Sequence, residues 1–442
     1  MNNLKKQLLT YLLMFCSGVA VYAGQRYEPT WADSISGNVD VSLSQARTIA
    51  LENNRSLRNS SLQVRQAQAS RWQTIASMLP QVDANLTYTN MCGYTLNFGV
   101  MQRDMPPYGQ LGITAAIALT GSQIVGALIS EVAIKMQKES YEVAEDQLLA
   151  NVAQVYTSVL VMQEVDTLLK QSLDNILKLQ TMTDRAVEVG VSEQTVADQM
   201  AVRVATLRQN INSTERTLQV QINSLKLLLG FGDDVQLNLT DKLDDVISPE
   251  RVLSLLGEDF DLAGNRSYRL AQLNTDLAKK NKVLAWMAYT PTLTLAYQYA
   301  KQHYFSDTEG FSMTPPNTVQ IGLAVPIWSS GKRAAAVREK KLAYEAALNT
   351  LEDTKNQLAV QFSQLRYNLN STYESYVIEK ENLAVNQRVL ESTTNKFKYG
   401  VASTQELITS SNEFINAQSQ YVNAVLSLVQ AETNLEVFLS KK

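Results

Sequence analysis

Two periodicities alternate along the chain. After Pro80, Val82, Ala84, Leu86 and Tyr88 fall on one side of an extended backbone, and Gln81, Asp83, Asn85 and Thr87 fall on the other. That is the period-two pattern of a strand. After Pro291 the pattern returns, with Leu293, Leu295, Tyr297 and Tyr299 opposed by Thr292, Thr294, Ala296 and Gln298. Two further runs alternate: Leu111, Ile113, Ala115, Ile117 and Leu119, then Val319, Ile321, Leu323, Val325 and Ile327. Strands are therefore expected at about 81–90, 110–120, 292–300 and 318–328. A helical stretch from about Leu43 to Met78 should precede the first, because Pro80 turns the preceding residue toward extended backbone. Gly121 to Gly190 and Gly331 to Gly400 each cover 70 residues without a proline. In the first stretch Leu148, Val152, Val155, Val159, Met162, Leu169, Leu173 and Ile176 step by threes and fours, missing only at Asp166. This is a coiled-coil seam, and an unbroken helix of that length would reach about 100 Å.

The two halves carry the same plan. At an offset of 211, Asn54-Arg55-Ser56 matches Asn265-Arg266-Ser267 and Pro80 matches Pro291. At 210, Gly112 pairs with Gly322, Gly121 with Gly331, and Gly190-Val191 with Gly400-Val401. Scarce glycines and prolines hold register over most of each half, so the chain reads as two copies of one unit. The copies are placed at 41–245 and 246–442, each running helix, strand, loop, strand, very long helix, tight turn near residue 190 or 400, and helix.

A half-buried strand of a soluble sheet would also alternate. Here, however, each strand has about the ten residues that a tilted membrane strand needs, with tyrosines near its ends. Four strands cannot close a barrel, and open edges in hydrocarbon would leave backbone groups unsatisfied at several kcal/mol each. Closure must come from other subunits.

Composition sharpens the class. With 18 Gly and 9 Pro in 442 residues, the remainder should be largely helical. Lys5 and Lys6, the apolar run Leu8 to Ala20 and Val21-Tyr22-Ala23 read as an export signal over residues 1–23, followed by a linker over 24–40. Phe15 before Cys16 does not fit a lipidation site. Net charge is −4, so nucleic acid is not expected as a partner. After signal removal Cys92 is the one cysteine left, and no intrachain disulfide can form.

These features resemble the TolC-like outer-membrane efflux protein family. The likeness rests on Leu43-Ser44-Gln45-Ala46 through Asn53-Asn54, on Ile321-Gly322-Leu323-Ala324-Val325-Pro326-Ile327-Trp328 before Gly331, and on Phe397-Lys398-Tyr399-Gly400-Val401-Ala402-Ser403. It implies a fold that is mainly α with a small membrane β part. Three chains would form a homotrimer whose strands make a twelve-stranded barrel in outer-membrane lipid, continued by a helical tunnel through the periplasm. It further implies a passive duct that receives substrates from an inner-membrane pump through a periplasmic adaptor. The adaptor would touch the tip turns at Gly190, Val191, Gly400, Val401 and Ser403. Family members often carry acids six and nine positions beyond the second turn glycine. Here those positions are Glu406 and Thr409, and the nearest acid in the first copy is Asp198. These three are candidates for the periplasmic aperture, although Glu406 also suits a solvated helix.

Catalytic chemistry is not legible. His303 is the only histidine, and no Cys-x-x-Cys, His-Glu-x-x-His, nucleophile elbow or phosphate loop occurs, so no enzyme activity, cofactor or metal site is expected. Met91, Cys92, Met101 and Met105 share a loop and include soft ligands for copper(I), but ordinary loop residues look the same. The competing function is a non-pore periplasmic coiled-coil adaptor, which accounts for the seam but has no need of paired alternating strands.

Overall fold

The computed structural model describes residues 37–99, 101–104, 106–190, 192–232, 234–243, 248–305 and 315–439. The proposed export signal, Val191, Met105 and the 245/246 boundary lie outside them. In chain order the elements are β1 (Gly37–Val41), α1 (Leu43–Asn53), α2 (Arg55–Ala76), β2 (Gln81–Thr89), β3 (Thr95–Phe98), β4 (Met101–Asp104), β5 (Tyr108–Leu119) and α3 (Gly121–Glu188). Then follow α4 (Gln194–Leu229), β6 (Val235–Leu239), α5 (Pro249–Leu256), α6 (Arg266–Met287), β7 (Thr292–Tyr304), β8 (Asn317–Ala324), α7 (Lys332–Lys398) and α8 (Thr404–Phe438).

The two proline-free stretches form helices of 68 and 67 residues. Along α3 the seam positions Leu148, Val152, Val159, Leu169 and Ile176 are buried. They feed two successive cores. The larger joins α3, α4 and α8 to β1, β6 and α5 through Val152, Leu225, Leu428, Val41, Leu237 and Val252, and the second lies toward the turn, around Leu179, Met200, Leu207 and Leu407.

The expected helix over 43–78 is two helices. Asn54 takes an extended conformation, and its side-chain oxygen accepts from Leu57 N–H at 3.0 Å, capping α2. Its amide nitrogen donates to Leu228 O at 3.0 Å, at the end of α4. Asn265 repeats the device, accepting from Ser267 and Tyr268 N–H and donating to Phe438 O at 2.9 Å, at the end of α8. The matched Asn-Arg-Ser triplets thus tie each upper helix to the last turn of its own half.

Residues 37–40, read from sequence as linker, form β1 together with Val41, and this strand pairs in parallel with β6. Tyr156 fixes this small sheet to α3, its hydroxyl lying 2.9 Å from Val41 O and 3.1 Å from Asp241 Oδ2. Strand β8 stops at Ala324 instead of about 328, because the tertiary amide of Pro326 cannot donate to a ladder. Strand β7 continues to Tyr304 beyond the expected 300, and a short hairpin, β3–β4, stands in the first loop.

Candidate functional site: an apolar sheet face and two helix tips

Strands β2, β5, β7 and β8 form one antiparallel sheet in that order. Its register aligns the alternating residues of all four strands. Val82 faces Ala115, which faces Tyr297, which faces Val319; Ile117, Leu295 and Ile321 make the next row, and Leu119, Leu293 and Leu323 the third. One surface is therefore apolar and open across these rows, with Leu86 at 81% and Ile321 at 73% exposure, while Lys301 beside Leu111 and His303 beside Gly109 stand on it at the loop end of β7. The other carries Asp83, Thr114, Gln298 and Thr318 across one row. Gly112 and Gly322 belong to this second surface. A Cβ on Gly112 would sit 2.4 Å from Asn85 Oδ1, and one on Gly322 2.7 Å from Thr294 Oγ1, so cross-strand polar groups occupy the space that glycine leaves. Burying a whole apolar face of this kind requires either a protein partner or lipid. Strands β2 and β8 are both unpaired on their outer edges. No helix among the described residues is long and apolar enough to cross a membrane.

At the opposite end of the long helices lie the two turns. Gly190 and Gly400 adopt φ of 75° and 70°, the left-handed conformation of a helix C-terminus. Gly400 N–H donates to Phe397 O and Val401 N–H to Lys396 O, at 3.0 and 2.9 Å, which satisfies the carbonyls that the end of α7 leaves free. Val189, Tyr399 and Val401 are 73%, 84% and 74% exposed, an apolar crown on an otherwise polar tip. Ser403 starts α8 with a capping box: its hydroxyl accepts from Glu406 N–H at 3.2 Å, and its own N–H donates to Glu406 Oε2 at 2.7 Å. Glu406 thus has a structural task besides its charge. Thr409 is exposed on the next turn, and Asp198 is exposed on α4, where Gln194 Nε2 donates to it at 3.0 Å.

Sequence reasoning missed the contacts that hold the halves together. Near the tips, Arg203 of α4 donates to Ser411 Oγ at 2.8 Å and Asn412 Oδ1 at 2.5 Å on α8. Its partners lie 208 and 209 residues away, nearly the repeat offset, and that proximity to the offset was the available signal. Midway along the chain, Arg266 of α6 reaches Asp146 and Glu142 of α3, with Arg266 and Asp146 side chains 9% and 5% exposed.

A second charged group joins Arg47 of α1, Arg251 of α5 and Glu432 and Glu436 of α8. Arg251 Nε lies 2.9 Å from Glu432 Oε1 and also pairs with Glu436. Burial pushes Glu432 up to about 7 against the pull of Arg251, with Glu436 adding to the rise and Arg47 opposing it. The raised value means that the folded state favours the proton. The stability this contributes is complete below the ordinary carboxyl value of 4.5 and is lost as pH rises through about 7. Thermal denaturation should therefore show the protein losing up to about 3 kcal/mol between pH 5 and 8 from this residue. In Glu432→Gln that slope should flatten.

A sheet with one exposed lipid-compatible face, standing on helices of nearly seventy residues, defines a channel protein of the outer membrane. The chain belongs to the outer membrane efflux protein family, whose model matches residues 47–231 and 261–440. It is 23% identical over 443 residues to the probable efflux pump outer membrane protein TtgC of Pseudomonas putida, covering 93% of this chain and 87% of that one. It is 21% identical over 347 residues to the outer membrane protein TolC of Salmonella enteritidis, covering 76% and 68%. Among solved structures, CusC superposes with a TM-score of 0.74 at 17% identity, covering 95% of this chain and 96% of that one. The family is one of transport channels, and the protein resides in the outer membrane with its helices in the periplasm. Among the described residues no group of His, Cys, Asp and Glu could hold a metal ion.

Proposed function

We propose that three copies of this chain assemble into one efflux duct, passive in itself, that takes substrates from an inner-membrane pump through a periplasmic adaptor. The observation that carries this reading is the sheet: four strands, an open apolar face and two unpaired edges, β2 and β8. Joining β8 of one chain to β2 of the next satisfies both edges, and three such joints give twelve strands. Exposed apolar positions support assembly. The helix α7 buries only Leu358, Leu369 and Tyr376 within its own chain, leaving Leu342, Val360, Ile378 and Val389 open for neighbours. Native mass spectrometry of detergent-extracted protein should give three chains per particle. A stable detergent-free monomer would instead support the adaptor reading.

The names of relatives such as TtgC, an efflux pump component, support the adaptor and pump as partners. The exposed Val189, Tyr399 and Val401 beside Gly190 and Gly400 make the tips, with Val191 and Ser403, the surface where the adaptor docks. Glu406, with Asp198 and Thr409 near it, is assigned to the periplasmic aperture, where three carboxylates around the axis would favour cations. Glutamine also serves in a capping box, so Glu406→Gln removes the charge and keeps the turn. In planar bilayers that variant should lose part of its cation preference at low salt, with trimer assembly unchanged. Unchanged ion selectivity would confine Glu406 to its capping role.

A further inference from the structure

The helix ends next to the sheet differ from the rest of the chain in charge. Residues 276–287 of α6 and 332–345 of α7 hold eight Lys and Arg against three Asp and Glu, in a chain whose net charge is −4. The equivalent stretches of the first half, 65–76 and 122–135, hold three against one. The excess is therefore a property of this half and is not dictated by the repeated fold. Within it, Lys280, Lys340 and Lys341 pair with Asp276, Glu339 and Glu345. Among the described residues no carboxylate lies within ion-pair distance of Lys279, Lys282, Lys332, Arg333 or Arg338.

Aromatic groups accompany these cations. Arg333 lies 5.0 Å from the centre of the Tyr289 ring and Lys282 4.7 Å from that of Tyr344. Trp286 and Trp328 are 56% and 84% exposed, and Ile327 beside Trp328 is 90% exposed. Indole rings at the border between an apolar face and a charged one match the water interface of a bilayer. The depth of the basic band fits as well. Lys279 is eight residues from the end of α6 and Arg338 six from the start of α7, roughly 12 and 9 Å along the helices. A headgroup layer of about 5–8 Å plus a Debye length of about 8 Å reaches that far.

We propose that this band is a docking surface for anionic phospholipid headgroups of the periplasmic leaflet, read by Lys279, Lys282, Lys332 and Arg338 above an indole belt. The inference rests on the reading that the four strands lie in lipid. Arg333 is set apart because it also holds the strand-to-helix crossing, donating to Pro326 O at 2.8 Å and Ser329 Oγ at 3.0 Å.

The test is competitive lipid retention. Full-length protein in detergent is mixed with equal amounts of phosphatidylglycerol and phosphatidylcholine, and bound lipids are counted on the intact particle by native mass spectrometry. Each basic group near an anionic surface contributes about a fivefold factor, so the parent should prefer phosphatidylglycerol by about tenfold or more. The combined variant Lys279→Gln, Lys282→Gln, Lys332→Gln and Arg338→Gln should fall toward parity at the same particle mass. Equal retention of the two lipids by the parent, or an unchanged preference in the variant, overturns the proposal. So does a variant that keeps its lipid preference but loses anion permeability in planar bilayers, since the band would then line the tunnel. A parent particle of a single chain without lipid would overturn the membrane reading itself, and the particle mass separates that failure from the others.

Discussion

Replacing Arg266 by alanine should cost about 3–5 kcal/mol of stability, because it strands Asp146 as an uncompensated carboxylate that is only 5% exposed. The guanidinium is held between Asp146 and Glu142 on α3, while Arg269 one turn further along α6 lies 3.1 Å from Glu139. Three carboxylates on one face of α3 thus meet two arginines on α6. Chemical denaturation of the extracted protein measures the loss. A double variant, Arg266→Met with Asp146→Leu, should recover most of it, since an apolar pair of similar volume avoids the desolvation of both charges. If the double variant were as unstable as the single one, packing at this site rather than a stranded charge would be the cause.

An arginine in place of Ile113 should prevent stable residence in the membrane. Ile113 lies near the middle of β5, in the row with Ala84 and Tyr299 on the apolar face. A cation at the bilayer midplane on the lipid side costs about 2–4 kcal/mol, and in the proposed trimer each of three chains would incur it. Thr114→Arg, one residue along and on the opposite face, should be tolerated and change conductance instead. The pair can be read by refolding into phospholipid vesicles followed by protease protection. Equal behaviour of the two variants would contradict the assignment of the sheet's faces.

The parts of this fold visible in the sequence were those set by near neighbours in the chain. Alternation from Gln81 to Tyr88 and from Thr292 to Tyr299 marked strands because a residue's side is decided by its immediate position. The proline-free stretches and the glycines at 190 and 400 marked helices and turns for the same reason. The parts not visible depend on partners far along the chain. Asn54 looks like an ordinary polar residue within a helix until Leu228 O is placed beside its amide. Strand β1 was invisible because β6, its partner, lies about two hundred residues later. The candidate site divides similarly. Gly400 and Ser403 could be located from local pattern, and the capping box of Glu406 could have been read from Ser403 and the three-residue spacing. The clasp of Arg203 on Ser411 and Asn412 required the two halves to be laid side by side.

Asn54 and Asn265 each join the beginning of one half to the end of that same half. Neither bond crosses from one half to the other, so each half is a closed loop that ties its own knot. Cutting the polypeptide between the halves would sever neither tie. In the proposed trimer the covalent link would instead fix stoichiometry and order: every copy of the first half would stand beside one of the second, so that unlike halves would alternate around a ring that two free polypeptides could populate at random.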